Sequence, residues 1–97
     1  MITDYALGEQ IDAPLAIAAT TLTASSGNAT SLTATAIQAV LTSGVFTANS
    51  ARAFTVTGQT GTFLALNDGT AGFRASTDGI IHLSSYAISA TNTVTIV

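Results

Sequence analysis

The chain has no cysteine, no tryptophan and no lysine, a single proline, and only two cations, Arg52 and Arg74. Without cysteine there is no disulfide framework, no thiolate metal site and no sulfur nucleophile. Five acids outnumber the two arginines and give a formal net charge of −3. Neutralising a run of phosphates takes several Lys or Arg on one face, so nucleic acid is not an expected partner. Charged residues make up only 7% of the chain, against about 25% in an average soluble protein. Threonine, serine, asparagine and alanine must therefore cover the surface. Such a surface has few cleavage sites for Lys- or Arg-directed proteases and little charge repulsion to hold chains apart, which fits extracellular life or ordered assembly.

Long apolar runs are also missing. No stretch reaches the roughly 18 uninterrupted apolar residues of a membrane span, so none is expected. No basic segment leads into an apolar one at the start, so an ordinary signal peptide is not expected either, and an export signal would lie elsewhere or at the C-terminus. At 97 residues, 47% of them apolar, the chain has the length of a single domain with one modest core.

What is present reads mostly as strand. Before Pro14, β-formers alternate around Gly8, and Pro14 ends whatever strand contains Ile11. Residues 15–24 fit a strand or a short helix, with Thr20, Thr21 and Thr23 favouring strand, and Ser25 to Asn28 is turn chemistry. A helix is predicted over about 33–43. Thr33 stands at its N-cap, Ile37, Val40 and Leu41 form one stripe, and Gly44 is placed to close it as a left-handed C′ residue. A single stripe on so short a helix must lie against a sheet. From Phe54 onward the period changes to two. Strands are expected around Phe54–Val56, Thr62–Leu66, Ile80–Leu83 and Thr93–Val97, with turns at Gly58–Gly61 and Ser89–Asn92. Four strands joined this way predict a meander. The expected fold is one mainly β domain over residues 1–97, a small antiparallel sandwich or meander with one short helix packed on or capping the sheet.

The sharpest chemistry lies in residues 62–83, TFLALNDGTAGFRASTDGIIHL, where an apolar run breaks into an Asn/Asp/Gly loop and returns to a second apolar run. Two readings of this loop stand. In the first, Asn67, Asp68, Thr70 and Asp78 supply side-chain oxygens to a calcium ion, with carbonyls from Gly69, Ala71 and Phe73. In the second it is an Asx-rich turn in which Asn and Asp cap their own backbone. Asp4, Glu9 and Asp12 form a second acidic group, either charges that discourage pairing at an edge strand or a cap on a neighbouring calcium site. His82 has no second His or Cys near it in sequence, which favours a hydrogen-bonded strand residue over a metal ligand. The serine pairs 25–26 and 84–85 lie in no nucleophile elbow, and Gly58–Gly61 lacks the lysine and helix start of a phosphate loop. No acid, base and nucleophile set can be named, and the chain is not expected to be an enzyme.

The run Thr62 to Phe73, with Ala75, Thr77-Asp78 and Ile80-Ile81, resembles the bluetail-type C-terminal domain of bacterial surface proteins, and is similar to domains of cyanobacterial proteins that also carry RTX calcium repeats. The opening Ile2-Thr3-Asp4-Tyr5, Gly8 and Ile11-Asp12 resembles the segment that follows the last RTX repeat, which gives residues 1–14 that place. The resemblance implies a noncatalytic domain at the end of a type I secretion substrate, secreted or held at the cell surface. Its partners would be the neighbouring RTX repeat domain and the type I secretion machinery, with calcium as a stabilising ion. The apolar ending Thr93 to Val97 is compatible with that. The alternative is a subunit of a surface layer or extracellular fibre that assembles with copies of itself by β-strand addition.

Overall fold

The segments ARAFTV and TFLAL bury residues at successive positions, the mark of strands covered on both faces. They form β4 (Ala51–Val56) and β5 (Thr62–Leu66) in a computed structural model that describes residues 10–11, 17, 20–74, 78–84 and 86–97. Asp4, Glu9, Asp12 and Pro14 lie outside the described residues. β6 (Gly79–Leu83) pairs antiparallel with β5, and the short β3 (Asn28–Ala29) pairs parallel with β4, giving a sheet of order β3-β4-β5-β6.

The register sorts this sheet into two apolar faces. Ala53, Leu64 and Ile81 line up across the strands on one face, and Phe54, Phe63 and His82 on the other. The first face is covered by a second sheet of order β1-β7-β2, made of β1 (Gln10–Ile11), β7 (Val94–Ile96) and β2 (Thr20–Leu22). Leu22, Val94 and Ile96 from that sheet, with Ile17 and Tyr86, pack against Ala51, Ala53, Leu64 and Leu83. The other face is covered by α1 (Ala34–Val40) and its flanking loops, where Ile37, Leu41, Phe46 and Phe73 pack against Phe54, Val56, Phe63 and Ala65. The result is mainly β, three layers deep, with one short helix. Among the described residues no helix is long and apolar enough to cross a membrane.

Three expectations about the strands change. The last strand does not extend the meander, which stops at β6. β7 instead runs in the middle of the second sheet, antiparallel to β2 and parallel to β1. Val94 and Ile96 are both fully buried there, and a place beside β6 would leave the Leu64 and Leu83 face uncovered. The sheets are also mixed rather than purely antiparallel, because β3 and β1 enter parallel to their neighbours. Asn28, expected in a turn, is in β3, where its Oδ1 accepts from Thr55 Oγ1 at 2.7 Å and its Nδ2 donates to Thr57 Oγ1 at 2.8 Å.

The helix is shorter than 33–43, and Gly44 does not close it. Thr33 is the N-cap, its Oγ1 accepting from the Ala36 N–H at 3.3 Å. At the other end Leu41 is the C-cap, at φ −95° and ψ 67°. The Leu41 side chain is fully buried and its carbonyl accepts from the Phe73 N–H at 3.1 Å. Tertiary contact therefore draws the chain out of the helix three residues before Gly44, whose φ is not positive. The Ser89–Asn92 turn forms as expected, with the Ser89 N–H donating to the Asn92 carbonyl at 3.0 Å.

Phe63 sits at the centre of this arrangement. Its ring stacks on Phe54 at 5.5 Å between centroids and on the His82 imidazole at 3.9 Å. Phe63→Ala is expected to lower unfolding stability by about 3–5 kcal/mol, the range for emptying a phenylalanine site in a core. Chemical denaturation checks this.

Candidate functional site

The loop after β5 begins with a buried polar residue. Asn67 continues the β4–β5 ladder, its backbone N–H donating to the Ser50 carbonyl at 2.9 Å. Its side-chain Nδ2 donates to the carbonyls of Phe46 at 3.0 Å and Thr47 at 2.9 Å. Asn67 thus binds the 46–50 segment to the end of β5, and its side chain works there as a donor. The Oδ1 atom is buried with no hydrogen-bond partner. Nearby, Asn49 takes the left-handed region at φ 57° and donates its N–H to the Asp68 carbonyl at 2.7 Å, a conformation asparagine tolerates better than most residues.

Asp78 closes the loop from the other side. Its Oδ1 accepts from the Asp68 N–H at 3.0 Å and its Oδ2 from the Arg74 N–H at 2.8 Å. The Asp78 N–H in turn donates to the Arg74 carbonyl at 2.9 Å. One carboxylate therefore holds both ends of the 68–74 segment with charge-assisted bonds. Asp68 caps its own turn, Oδ1 accepting from the Thr70 N–H at 3.0 Å, which is Asx-turn geometry. Two further bonds dock the loop on the helical layer, from the Gly72 N–H to the Phe46 carbonyl at 2.7 Å and from Gln38 Nε2 to the Phe73 carbonyl at 3.3 Å.

Of the four residues read as calcium ligands, Asp68 and Asp78 come together, Asn67 is turned toward Phe46 and Thr47, and Thr70 is exposed. Calcium takes six to eight oxygens. Here three carboxylate oxygens already accept backbone N–H groups and the asparagine presents its nitrogen to carbonyls. Among the described residues no group of three or more His, Cys, Asp or Glu comes together to hold a metal. The hydrogen bonds the loop makes are those of the turn reading.

His82 is half-buried, its ring parallel to that of Phe63 within 5°. Its Nε2 lies 2.7 Å from the Thr60 carbonyl. A carbonyl oxygen only accepts, so Nε2 carries the proton. The imidazole thus serves as a flat aromatic partner and as a tie to the β4–β5 turn.

Sequence reasoning missed a second polar hub. Thr62, at the start of β5, donates its Oγ1 hydrogen to the Tyr86 carbonyl at 2.6 Å and accepts the Ile88 N–H at 3.0 Å. Tyr86 Oη donates to the Thr93 carbonyl at 2.7 Å. Together they fasten the segment leading into β7 onto the central sheet. A threonine in an apolar strand reads as an ordinary β-former, and only its burial against residues 86–88 shows the difference. Compared with known proteins, the chain matches no family model, no curated protein and no solved structure.

Two substitutions separate these roles. Asp78→Ala removes the acceptor of two N–H groups and is expected to cost about 1.5–3 kcal/mol, the worth of hydrogen bonds to a charged group. Asn67→Asp would set a buried carboxylate against two carbonyl oxygens and is expected to cost more, about 3 kcal/mol or above. Urea titrations of the two variants beside the parent protein check the order.

Proposed function

We propose that the chain is a noncatalytic structural domain of a secreted cell-surface protein, a terminal folding and capping module of the bluetail kind that its 62–81 segment resembles. The observation that supports this most is the edge of the second sheet. There β1 runs parallel to β7, with Gln10 opposite Thr95 and Ile11 opposite Ile96. A parallel edge strand reached from the N-terminal side is what a domain needs to continue a parallel-stranded repeat array and close its open end. The use of the loop acids supports the same reading, since Asp68 and Asp78 hold backbone in place.

An RTX repeat array joined to this chain is expected to reach half-folding at a calcium concentration several-fold lower than the array alone, read by circular dichroism. Equal midpoints would sink the capping role. Calcium bound within this domain is a separate matter, tested by thermal unfolding of the isolated chain in millimolar calcium and in chelator. The N–H groups already seated on Asp68 and Asp78 lead us to expect the same midpoint in both. A calcium-dependent rise that Asp78→Asn abolishes would put the ion in the loop, and a rise that survives it would point to Asp4, Glu9 and Asp12.

A second reading, self-association of the chain into a surface layer or fibre by β-strand addition, is favoured by the position of β6 at the edge of the four-stranded sheet among the described residues.

A further inference from the structure

The orientation of the β6 backbone follows from the ladders beside it. Residues 50 and 67 are a hydrogen-bonded pair, because the Asn67 N–H donates to the Ser50 carbonyl. Main-chain groups alternate sides along a strand, so Phe63 and Ala65 bond to β4, while Thr62, Leu64 and Leu66 bond to β6. Their partners Leu83, Ile81 and Gly79 then point inward. Gly61 agrees independently, since a Cβ there would collide with the Leu83 carbonyl oxygen. Ile80 and His82 therefore turn their N–H and C=O groups away from the sheet.

At either end of the strand main-chain groups are already bonded, the Ser84 carbonyl being turned to the β5 side beside Gly61. The Asp78 N–H donates to the Arg74 carbonyl at 2.9 Å, and the Ser84 carbonyl accepts from Thr60 Oγ1 at 2.9 Å. Among the described residues, what remains is a short edge of two donors and two acceptors, on Ile80 and His82. No Lys, Arg, Asp, Glu or Pro interrupts Gly79–Leu83, so the strand itself carries neither a charge nor a proline to block edge pairing. Ile80 is among the exposed large apolar residues.

From this edge we infer that β6 pairs antiparallel with β6 of a second copy of the chain, about a two-fold axis at Ile81. The inference rests on the self-association reading above and gives it a surface and a register. Centred on Ile81, Ile80 of each copy faces His82 of the other, and all four outward N–H groups and all four carbonyls of the two copies pair, which makes four hydrogen bonds. A slip of two residues either way pairs Ile80 or His82 with itself and sends the other to Asp78 or Ser84, where the Asp78 N–H and the Ser84 carbonyl are taken. The charge pattern agrees. The antiparallel register sets Asp78 opposite Ser84 of the second copy, whereas a parallel pairing would set the two Asp78 carboxylates side by side. On the helical side, the row Phe54, Phe63, His82 gains Ile80 of the second copy on the free flank of the imidazole. The contact is isologous and closes on itself. It makes one continuous eight-stranded sheet and stops there.

Two five-residue edges bury far less than the roughly 1,200 Å² of a standard interface, so the dimer is weak. Sedimentation of the full chain is expected to show monomer at about 10 μM and substantial dimer at about 1 mM. Ile80→Lys is expected to weaken association at least about tenfold. Ile80→Pro, which removes an outward N–H without touching the β5 ladder, should do the same if circular dichroism shows it folded. Leu32→Lys, at an exposed apolar site outside both sheets, should leave association unchanged. Amide exchange at Ile80 and His82 should slow as concentration rises. Association that persists in both Ile80 variants, or that Leu32→Lys weakens equally, would overturn the β6 assignment while leaving self-association through another surface standing. A parent chain that is monomeric throughout would overturn both, and with them the second reading, without touching the capping role.

Discussion

Every layer of this molecule depends on covering β5 from both sides. A strand whose side chains are apolar at consecutive positions has no face to give to water, so the sheet built on it needs two lids. A chain of this length can make only small ones. The β1-β7-β2 sheet and the seven-residue helix are each too short to persist alone. Each is stabilised by the apolar surface it removes from water on the central sheet. The two clusters, around Leu64 and around Phe63, back onto one another through the same strands. Loss of either lid would expose the other cluster's supporting sheet, which ties the layers into one cooperative unit.

Polar side chains in this setting work on the backbone. With so few ions in the chain, loops that must cross the ends of the layers are satisfied by Asn67, Asp68, Asp78 and Thr62, which bond to N–H and C=O groups that would otherwise be left unpaired. The same scarcity acts at the surface. Strand edges that most proteins guard with lysine or proline are left with threonine and isoleucine, so association through main-chain hydrogen bonds meets little electrostatic opposition. A domain that ends a repeat array and a domain that pairs with its own copy both draw on this property, at different edges: β1 for the first and β6 for the second.

Much of the fold was legible in the chain itself. Apolar runs bounded by Gly and Asn mark β4, β5 and β6, and the Thr33 cap with the Ile37 stripe marks the helix, because these signals arise from contacts within a few residues. The acidic loop was legible as a loop, with its two possible uses left open, since the same Asn, Asp and Gly residues serve a cation or a turn. Which use holds depends on the neighbours that their polar atoms meet, and those are the Phe46 and Thr47 carbonyls and the N–H groups of Asp68, Thr70 and Arg74.

By itself, then, the sequence determined a lysine-free, mainly β fold, the places of its central strands and the start of its helix. Only the tertiary structure decided that β7 leaves the meander to roof the Leu64 face, that Leu41 ends the helix ahead of Gly44, and that Asp78 clasps backbone N–H groups. The physical reason is the same in each case. Local periodicity states that a segment has an apolar face or a polar cap to satisfy, while the partner that satisfies it is set by the folded chain, within the same loop for Asp78 and far away in sequence for β7 and Leu41.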